Sequence, residues 1–234
     1  SVDLAMAGYD TTRGLGFYRA AQQRASELPG VRSASLAAPV PLEFSSGGPI
    51  VFVEGYQPPD AGPGASGGQP VSGSAVAPDY FATLGTRLLD GRDFGAGDSL
   101  GAPLVAIVNE AMARRYWPGQ NPIGRIVRLN GPGGAPVEVI GVAETGKYRE
   151  VTEPPSPYLY LPLAQNYAPV VTLALRTTGD PMALIPALRR AVQSLDPQLT
   201  FFDAKSMEAL VAGRALLPFR AAASLVGVFG LLAL

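Results

Sequence analysis

Gly141-Val-Ala-Glu-Thr-Gly-Lys147 follows a β-type run and matches the opening of a phosphate-binding loop, in which backbone N–H groups cradle phosphate oxygens and a lysine neutralises them. The pattern stops one residue short of that chemistry. Position 148 is Tyr where a Ser or Thr hydroxyl is needed for Mg²⁺, and Glu144 would set a carboxylate against the phosphates. The following Tyr148-Arg-Glu-Val-Thr-Glu-Pro-Pro155 is not a helix whose N-terminus could receive an anion. A strand followed by a turn is the better reading. Asp93, Asp98, Glu138 and Glu144 could in principle pair as general acid and base. They fall in polar turns or at solvent-side strand positions, where a solvated carboxylate is the ordinary state. The chain has no His and no Cys, which excludes Cys nucleophiles, Ser-His-Asp triads and the usual zinc sites and leaves only carboxylate, Lys or Tyr chemistry. No catalytic, cofactor-binding or metal-binding residue is assigned from the sequence. Tyr80, Phe81, Tyr116, Trp117, Tyr158 and Tyr160 read as core and subdomain packing rather than a ligand platform, with an apolar cleft between subdomains left open.

The elements that would position these groups come from periodicity and punctuation. Residues 11–29 carry Leu15, Tyr18, Ala21, Ala25 and Leu28 at helical spacing, ended by Pro29-Gly30. A half-buried strand is expected at Val31–Ala38 and a second strand at Pro49–Tyr56; the Gly/Pro-rich stretch 57–69 that follows reads as a flexible loop. In the middle block Asp79 is placed to cap a short helix closed by Gly85, and Asp90-Gly91 marks a turn. Leu104–Val108 is a strand, Asn109 an N-cap, and Glu110–Trp117 a helix stopped by Pro118-Gly119. Arg125–Leu129 and Val137–Val142 flank Gly131–Gly134 as a hairpin, and Pro157–Leu161 is a further strand. The last block has a strand at Val170–Thr177, then a helix from Asp180 to Leu195 whose buried stripe is Leu184, Leu188, Ala191, Val192 and Leu195. Leu199–Asp203 reads as a strand and Ser206 as the opening of another helix.

The first and last blocks each pair an amphipathic helix with strands, and an almost purely β block lies between them. The fold class that follows is α+β: an α/β layer split in sequence, with a β-rich subdomain inserted between its halves. The boundaries are 1–75 for the first part, 76–166 for the insert and 167–213 for the second part. Residues 214–234 are set apart because Ala221–Leu234 is apolar on every side save Ser224. As a helix that run would extend about 21 Å at roughly 1.5 Å per residue, part of the way across a hydrocarbon core of about 30 Å. It reads as the start of a transmembrane helix, which makes the rest a water-facing domain on a membrane anchor. Ser1–Asp10 lacks the basic segment and apolar core of a signal peptide, so an upstream segment is expected to carry an exported domain across. The net charge of −1 and the scattered basic residues give nucleic acid no footprint.

Several segments together resemble the extracytoplasmic core domain of MacB-like ABC transporter permeases. They are Val76–Gly85 with Leu88–Phe94, Val105–Gly119 with Asn121–Arg125, and Val139–Val142, followed by Pro157–Pro162, Arg176–Pro181 and the apolar run from Leu216. The segments keep the family's order over nearly the whole chain. The resemblance implies a domain between the first two transmembrane helices of a bacterial permease with an FtsX-like membrane part. It further implies a porter-like subdomain made by the flanking blocks, and a function of coupling cytoplasmic ATP hydrolysis to efflux or mechanotransmission. The implied partners are a second permease copy in a dimer, a cytoplasmic ABC ATPase and the membrane itself, with a periplasmic adaptor left open; no cofactor is implied. The implied location is the bacterial inner (plasma) membrane, with the domain facing the periplasm or the cell exterior. The rival readings are a membrane-tethered module that binds a ligand or protein without transport and, more remotely, a carboxylate-based enzyme ectodomain.

Overall fold

In the computed structural model of the chain the described residues are 1–5, 7–43, 48–56, 67–199 and 204–213. The short strand β1 (Val2–Asp3) leads into α1 (Thr11–Ser26), which starts where the Asp10 carboxylate accepts a hydrogen bond from the Arg13 N–H at 2.7 Å. Then come β2 (Val31–Ala38), β3 (Ile50–Val53), β4 (Gln69–Pro70) and β5 (Ser72–Val76). The middle block holds α2 (Tyr80–Leu84), β6 (Leu88–Gly91), β7 (Val105–Asn109), α3 (Glu110–Tyr116), β8 (Ile126–Leu129), β9 (Pro136–Ala143) and β10 (Tyr158–Pro162). The last block is β11 (Val170–Thr177) followed by a 3-10 turn, Met182–Leu184, that runs into α4 (Ile185–Gln193).

Ten strands form one hydrogen-bonded series, β1-β11-β2-β5-β10-β7-β9-β8-β3-β4, and β6 pairs with β9 beside it. The sheet is mixed: β5 with β10 and β7 with β9 run parallel, the other pairs antiparallel. Seen from sequence order, β10 is the seam. It sets Tyr158 opposite Ser72 on one side and Leu159 opposite Val108 on the other, and so joins the strands of the flanking blocks to those of the middle.

Three apolar clusters fill the spaces between the sheet and its helices. Leu36 of β2 joins Leu15, Tyr18 and Ala21 of α1 and Val192 of α4, whereas its neighbour Ala37 joins Tyr80 and Phe81 of α2 on the opposite face. β2 is therefore covered on both faces, and Ala34 to Ala37 are all buried, which corrects the half-buried strand expected from its alternation. The same division recurs in β7, where Val105 and Ile107 meet the α2 cluster while Ala106 and Val108 meet Met112, Tyr116 and Trp117 on the α3 side. Burying side chains of this size contributes about 1.5–3 kcal/mol each, so the doubly covered central strands are where the stability of the fold concentrates.

Other local expectations meet the structure unevenly. Asn109 caps α3 as its position suggests, accepting from the Met112 N–H at 2.8 Å. Asp79 does not cap α2 with its side chain: it sits in the left-handed region at φ 65, and its carbonyl rather than its carboxylate receives the Thr83 N–H. An aspartate tolerates that backbone better than a branched residue does, and Gly85 at φ 74 closes the same short helix. The helix expected from Asp180 is delayed. Asp180 accepts the Met182 N–H, a 3-10 turn follows, and the α-helix proper starts at Ile185, which puts Pro186 in its first turn where no N–H is needed. Of its expected stripe Val192 is buried, and Leu188 and Leu195 pack partly buried beside it. Asp90-Gly91, expected as a turn, is the end of β6, and β5 has no counterpart among the expected strands. All but Leu199 of the strand expected at Leu199–Asp203, the transmembrane helix expected in 214–234 and most of the 57–69 loop lie outside the described residues. Among the described residues no helix is long and apolar enough to cross a membrane.

Candidate functional site

The six aromatic residues singled out in the sequence are all buried, and none forms a surface platform. Tyr158 stacks on Tyr148 with ring centroids 3.7 Å apart, and Tyr160 packs edge-on against Phe81 at 4.9 Å. Burial raises the hydroxyl pKa of Tyr80, Tyr158 and Tyr160, so these phenols stay neutral in the core, where the Tyr160 hydroxyl donates to that of Tyr148 at 3.2 Å. The Gly141–Lys147 segment is bound up in the same packing. The Thr145 hydroxyl accepts the Ala111 N–H of α3 at 3.0 Å, the Gly146 N–H donates to the Tyr148 hydroxyl at 3.0 Å, and Lys147 Nζ donates to the Glu153 carbonyl.

The carboxylates named from the sequence do not converge. Glu144 forms an ion pair with Arg87 at 3.2 Å on the surface, Glu138 is exposed on β9, and Asp98 lies 6% exposed in a bidentate pair with Arg92 at 2.7 and 2.9 Å. Asp93 accepts the Phe94 N–H at 2.7 Å. No group of three or more acidic side chains suited to a metal ion exists among the described residues.

Among the described residues a groove of about 720 Å³ lies between α1 and the 94–100 loop, floored by β2 and the ends of β5 and β10. α1 contributes the stripe Thr12, Leu15, Arg19, Gln22 and Ser26, positions three and four apart that share one face. Gln22 is fixed there, its Nε2 donating to the carbonyls of Ala34 at 2.9 Å and Pro78 at 3.0 Å. On β2, Arg32, Ala34 and Leu36 alternate onto the same side of the sheet and face α1. None of Tyr80, Phe81, Tyr116, Trp117, Tyr158 and Tyr160 lines the groove. The signal for it in the sequence was the mixed character of α1: the stripe from Thr12 to Ser26 carries Arg19 and Gln22 beside Leu15, too polar for a core face and too apolar for a fully solvated one.

The opposite wall owes its shape to Asp98. Its carboxylate holds Arg92 and also accepts the Gly95 N–H at 2.8 Å, while Phe94 is pinned in the core at 4% exposure. The Arg92 hydrogen bonds hold the Asp98 carboxyl below its ordinary value of 3.8 against the opposing effect of burial. Burial pushes Asp93 the other way, only partly offset by the Phe94 N–H. A carboxyl whose folded value is depressed contributes stability that is present above its unfolded value and is lost as pH falls through the folded one. A raised carboxyl contributes stability that is present below its unfolded value and is lost as pH rises through the folded one. Urea unfolding at about pH 6 and about pH 3 is accordingly expected to show a smaller acid-side loss of stability in Asp98→Asn than in the parent chain, and a larger one in Asp93→Asn. Equal losses in all three chains would show that neither carboxyl is held as described.

A sequence profile for the MacB-like periplasmic core domain matches residues 13–195. Among solved structures, the periplasmic region of MacB from Actinobacillus actinomycetemcomitans superposes with a TM-score of 0.51 at 18% identity, covering 76% of this chain and 73% of that one. The extracellular domain of a noncanonic ABC-type transporter, YknZ, from Gram-positive bacteria gives 0.48 at 18% identity over 75% and 79% of the two chains. A domain of a putative permease protein from Porphyromonas gingivalis gives 0.48 at 16% identity over 82% and 83%. At 18% identity the likeness to the MacB region is one of fold. No curated protein sequence matches the chain.

Proposed function

The chain belongs to the MacB-like periplasmic core domain family, and from that premise we propose that it is a non-enzymatic relay: the extracytoplasmic domain of an ABC permease that passes motion, driven by cytoplasmic ATP hydrolysis, to a substrate or partner outside the membrane. The observation that carries the reading is the unbroken hydrogen-bonded series from β1 to β4. It ties the two flanks of the matched region to each other and to the middle block. β1 pairs with β11 through Val2–Val171 and Asp3–Val170, and the Tyr9 hydroxyl donates to the Asp196 carboxylate at 2.6 Å with Arg13 stacked over the Tyr9 ring at 4.0 Å. A pull on either flank is therefore borne by both. From there it crosses β11, β2 and β5 to the β10 seam and on into β7 and β9, a path of packed strands stiffened by side chains on both faces. In this reading 1–75 with 167–213 acts as one arm and 76–166 as the other, with β3 and β4 seated on the far arm beside β8. The partners are a second permease copy, an ABC ATPase and the membrane reached through 214–234, at the plasma membrane with this domain facing the periplasm or the cell exterior.

The chain contributes no Cys of its own, and any cysteines in the rest of the permease and in its ATPase are first replaced. Single cysteines at the exposed positions Leu100, Ile126, Val170 and Met182 are introduced into the full-length permease together with its ATPase, and disulfide formation between copies is followed with and without ATP. A relay requires at least one position whose cross-linking yield changes several-fold with nucleotide. Yields that ignore nucleotide at every position, or no copy-to-copy cross-link at all, would leave the tethered binding module as the better account.

A further inference from the structure

The groove beside α1 carries features that the relay does not use. Its floor is apolar, with Leu15, Leu36, Val76 and Leu163 converging beneath it, and Leu100 stands on its lip 63% exposed. Its volume of about 720 Å³ falls within the range of roughly 300–1,000 Å³ typical of small-molecule sites, and like them it pairs an apolar floor with a few placed polar groups. The charges on its rim are unevenly matched. Asp98 is neutralised by the bidentate Arg92. Arg19 and Arg32 are exposed and belong to no ion pair among the described residues; Arg19 Nε donates to the carbonyl of Leu15, one turn back in its own helix. The carboxylate that remains is Asp79, which makes no capping bond because its backbone is left-handed. Arg19 and Arg32 thus set two unpaired guanidinium groups on the α1 and β2 walls above a greasy floor, with Asp79 and its neighbour Asp93 as the carboxylates nearby.

We propose that this groove binds a small amphipathic anion: an apolar body seated between α1 and the 94–100 loop, with a carboxylate or comparable acidic group held by Arg19 and Arg32. Guanidinium groups suit such a head because their planar N–H pairs match two acceptor oxygens, and the apolar wall around them strengthens the contact. Gln22, already spent on Ala34 and Pro78, keeps α1 and β2 at the spacing the body needs. The proposal stands apart from the relay reading, since it is measured on this chain alone, without ATP or transport.

The probe is a medium-chain fatty acid bearing a diazirine, photolysed with the full 234-residue chain, and adducts are mapped by mass spectrometry. A matched probe ending in an amine in place of the carboxylate serves as the comparison. Mapping keeps labelling of the groove separate from any labelling of the apolar 214–234 run, which is read as an internal reference. Saturable adducts on 12–34 and 94–100 are expected from the acid and few from the amine. Arg19→Gln and Arg32→Gln should each cut groove labelling by about five- to tenfold, on the scale of one charge-assisted contact, with labelling of 214–234 unchanged. Asp79→Asn should leave acid labelling equal or raise it. The far-ultraviolet circular dichroism of each variant checks that it is folded, and Arg→Lys at either position keeps the charge should a Gln variant fail that check. Equal labelling by acid and amine, adducts confined to 214–234, or groove labelling unmoved by both arginine substitutions in folded protein would each overturn the proposal.

Discussion

Replacing Asn109 with alanine is expected to destabilise the domain by roughly 3–5 kcal/mol, since several backbone groups would each lose a partner at about 1–3 kcal/mol. Asn109 is wholly buried at the end of β7 and makes four hydrogen bonds. Its Oδ1 accepts the Met112 N–H at 2.8 Å and the Tyr158 N–H at 3.0 Å; its Nδ2 donates to the Ser156 carbonyl at 2.7 Å and the Tyr148 hydroxyl at 3.2 Å. Alanine would strand two buried backbone N–H groups and take the partner from the part-buried Ser156 carbonyl. A mere helix cap would cost about 1 kcal/mol on removal. The excess over that figure measures the second role, holding the start of β10 against α3. Urea denaturation with a shared m-value reads the difference directly. A loss near 1 kcal/mol would show that the bonds to the β10 side contribute little.

Tyr160→Ala comes next, with an expected loss of about 3–5 kcal/mol from the cavity left by a large, 1% exposed side chain. Its ring lies 5.7 Å from Tyr80, 4.9 Å from Phe81 and 5.0 Å from Tyr158, centroid to centroid, so the void would open at the β10 seam under α2. Tyr160→Phe keeps the ring and loses only the hydroxyl's bond to Tyr148 at 3.2 Å, for about 1 kcal/mol. The contrast matters for function as well as stability. If strain is carried through β10, a permease with Tyr160→Ala should lose the nucleotide dependence of copy-to-copy cross-linking even where the domain remains folded, whereas Tyr160→Phe should retain it. Unfolding midpoints and the cross-linking assay on the same variants separate loss of fold from loss of coupling.

Much of the local structure was legible in the residues. β2, β11, the β8–β9 hairpin and the α3 cap follow from alternation, from Gly131–Gly134 and from an asparagine set between a strand and a helix. These are short-range signals, each decided within a few residues by steric preference or by one hydrogen bond. β5 was hidden because Ser72-Gly-Ser-Ala-Val76 has few β formers and a glycine in its middle. It is a strand because β2 and β10 lie on either side of it, and Gly73 approaches the Leu159 carbonyl so closely that a Cβ there would stand 2.7 Å from it. Asp79 misled for a related reason. The left-handed turn that feeds α2 overrode the side-chain cap and left its carboxylate on the groove rim.

By itself the sequence determined the α+β class, the family through an ordered set of segments, and the exclusion of thiol and imidazole chemistry by simple absence of those residues. Only the tertiary structure decided that β10 joins the blocks, that Asn109 serves a helix and a distant strand together, and that Arg19 and Arg32 share a groove. The reason is physical. Helix caps, turns and amphipathic stripes draw their energy from neighbours along the chain, whereas strand pairing and groove walls depend on loop closure between residues far apart in sequence, whose partners no local pattern names.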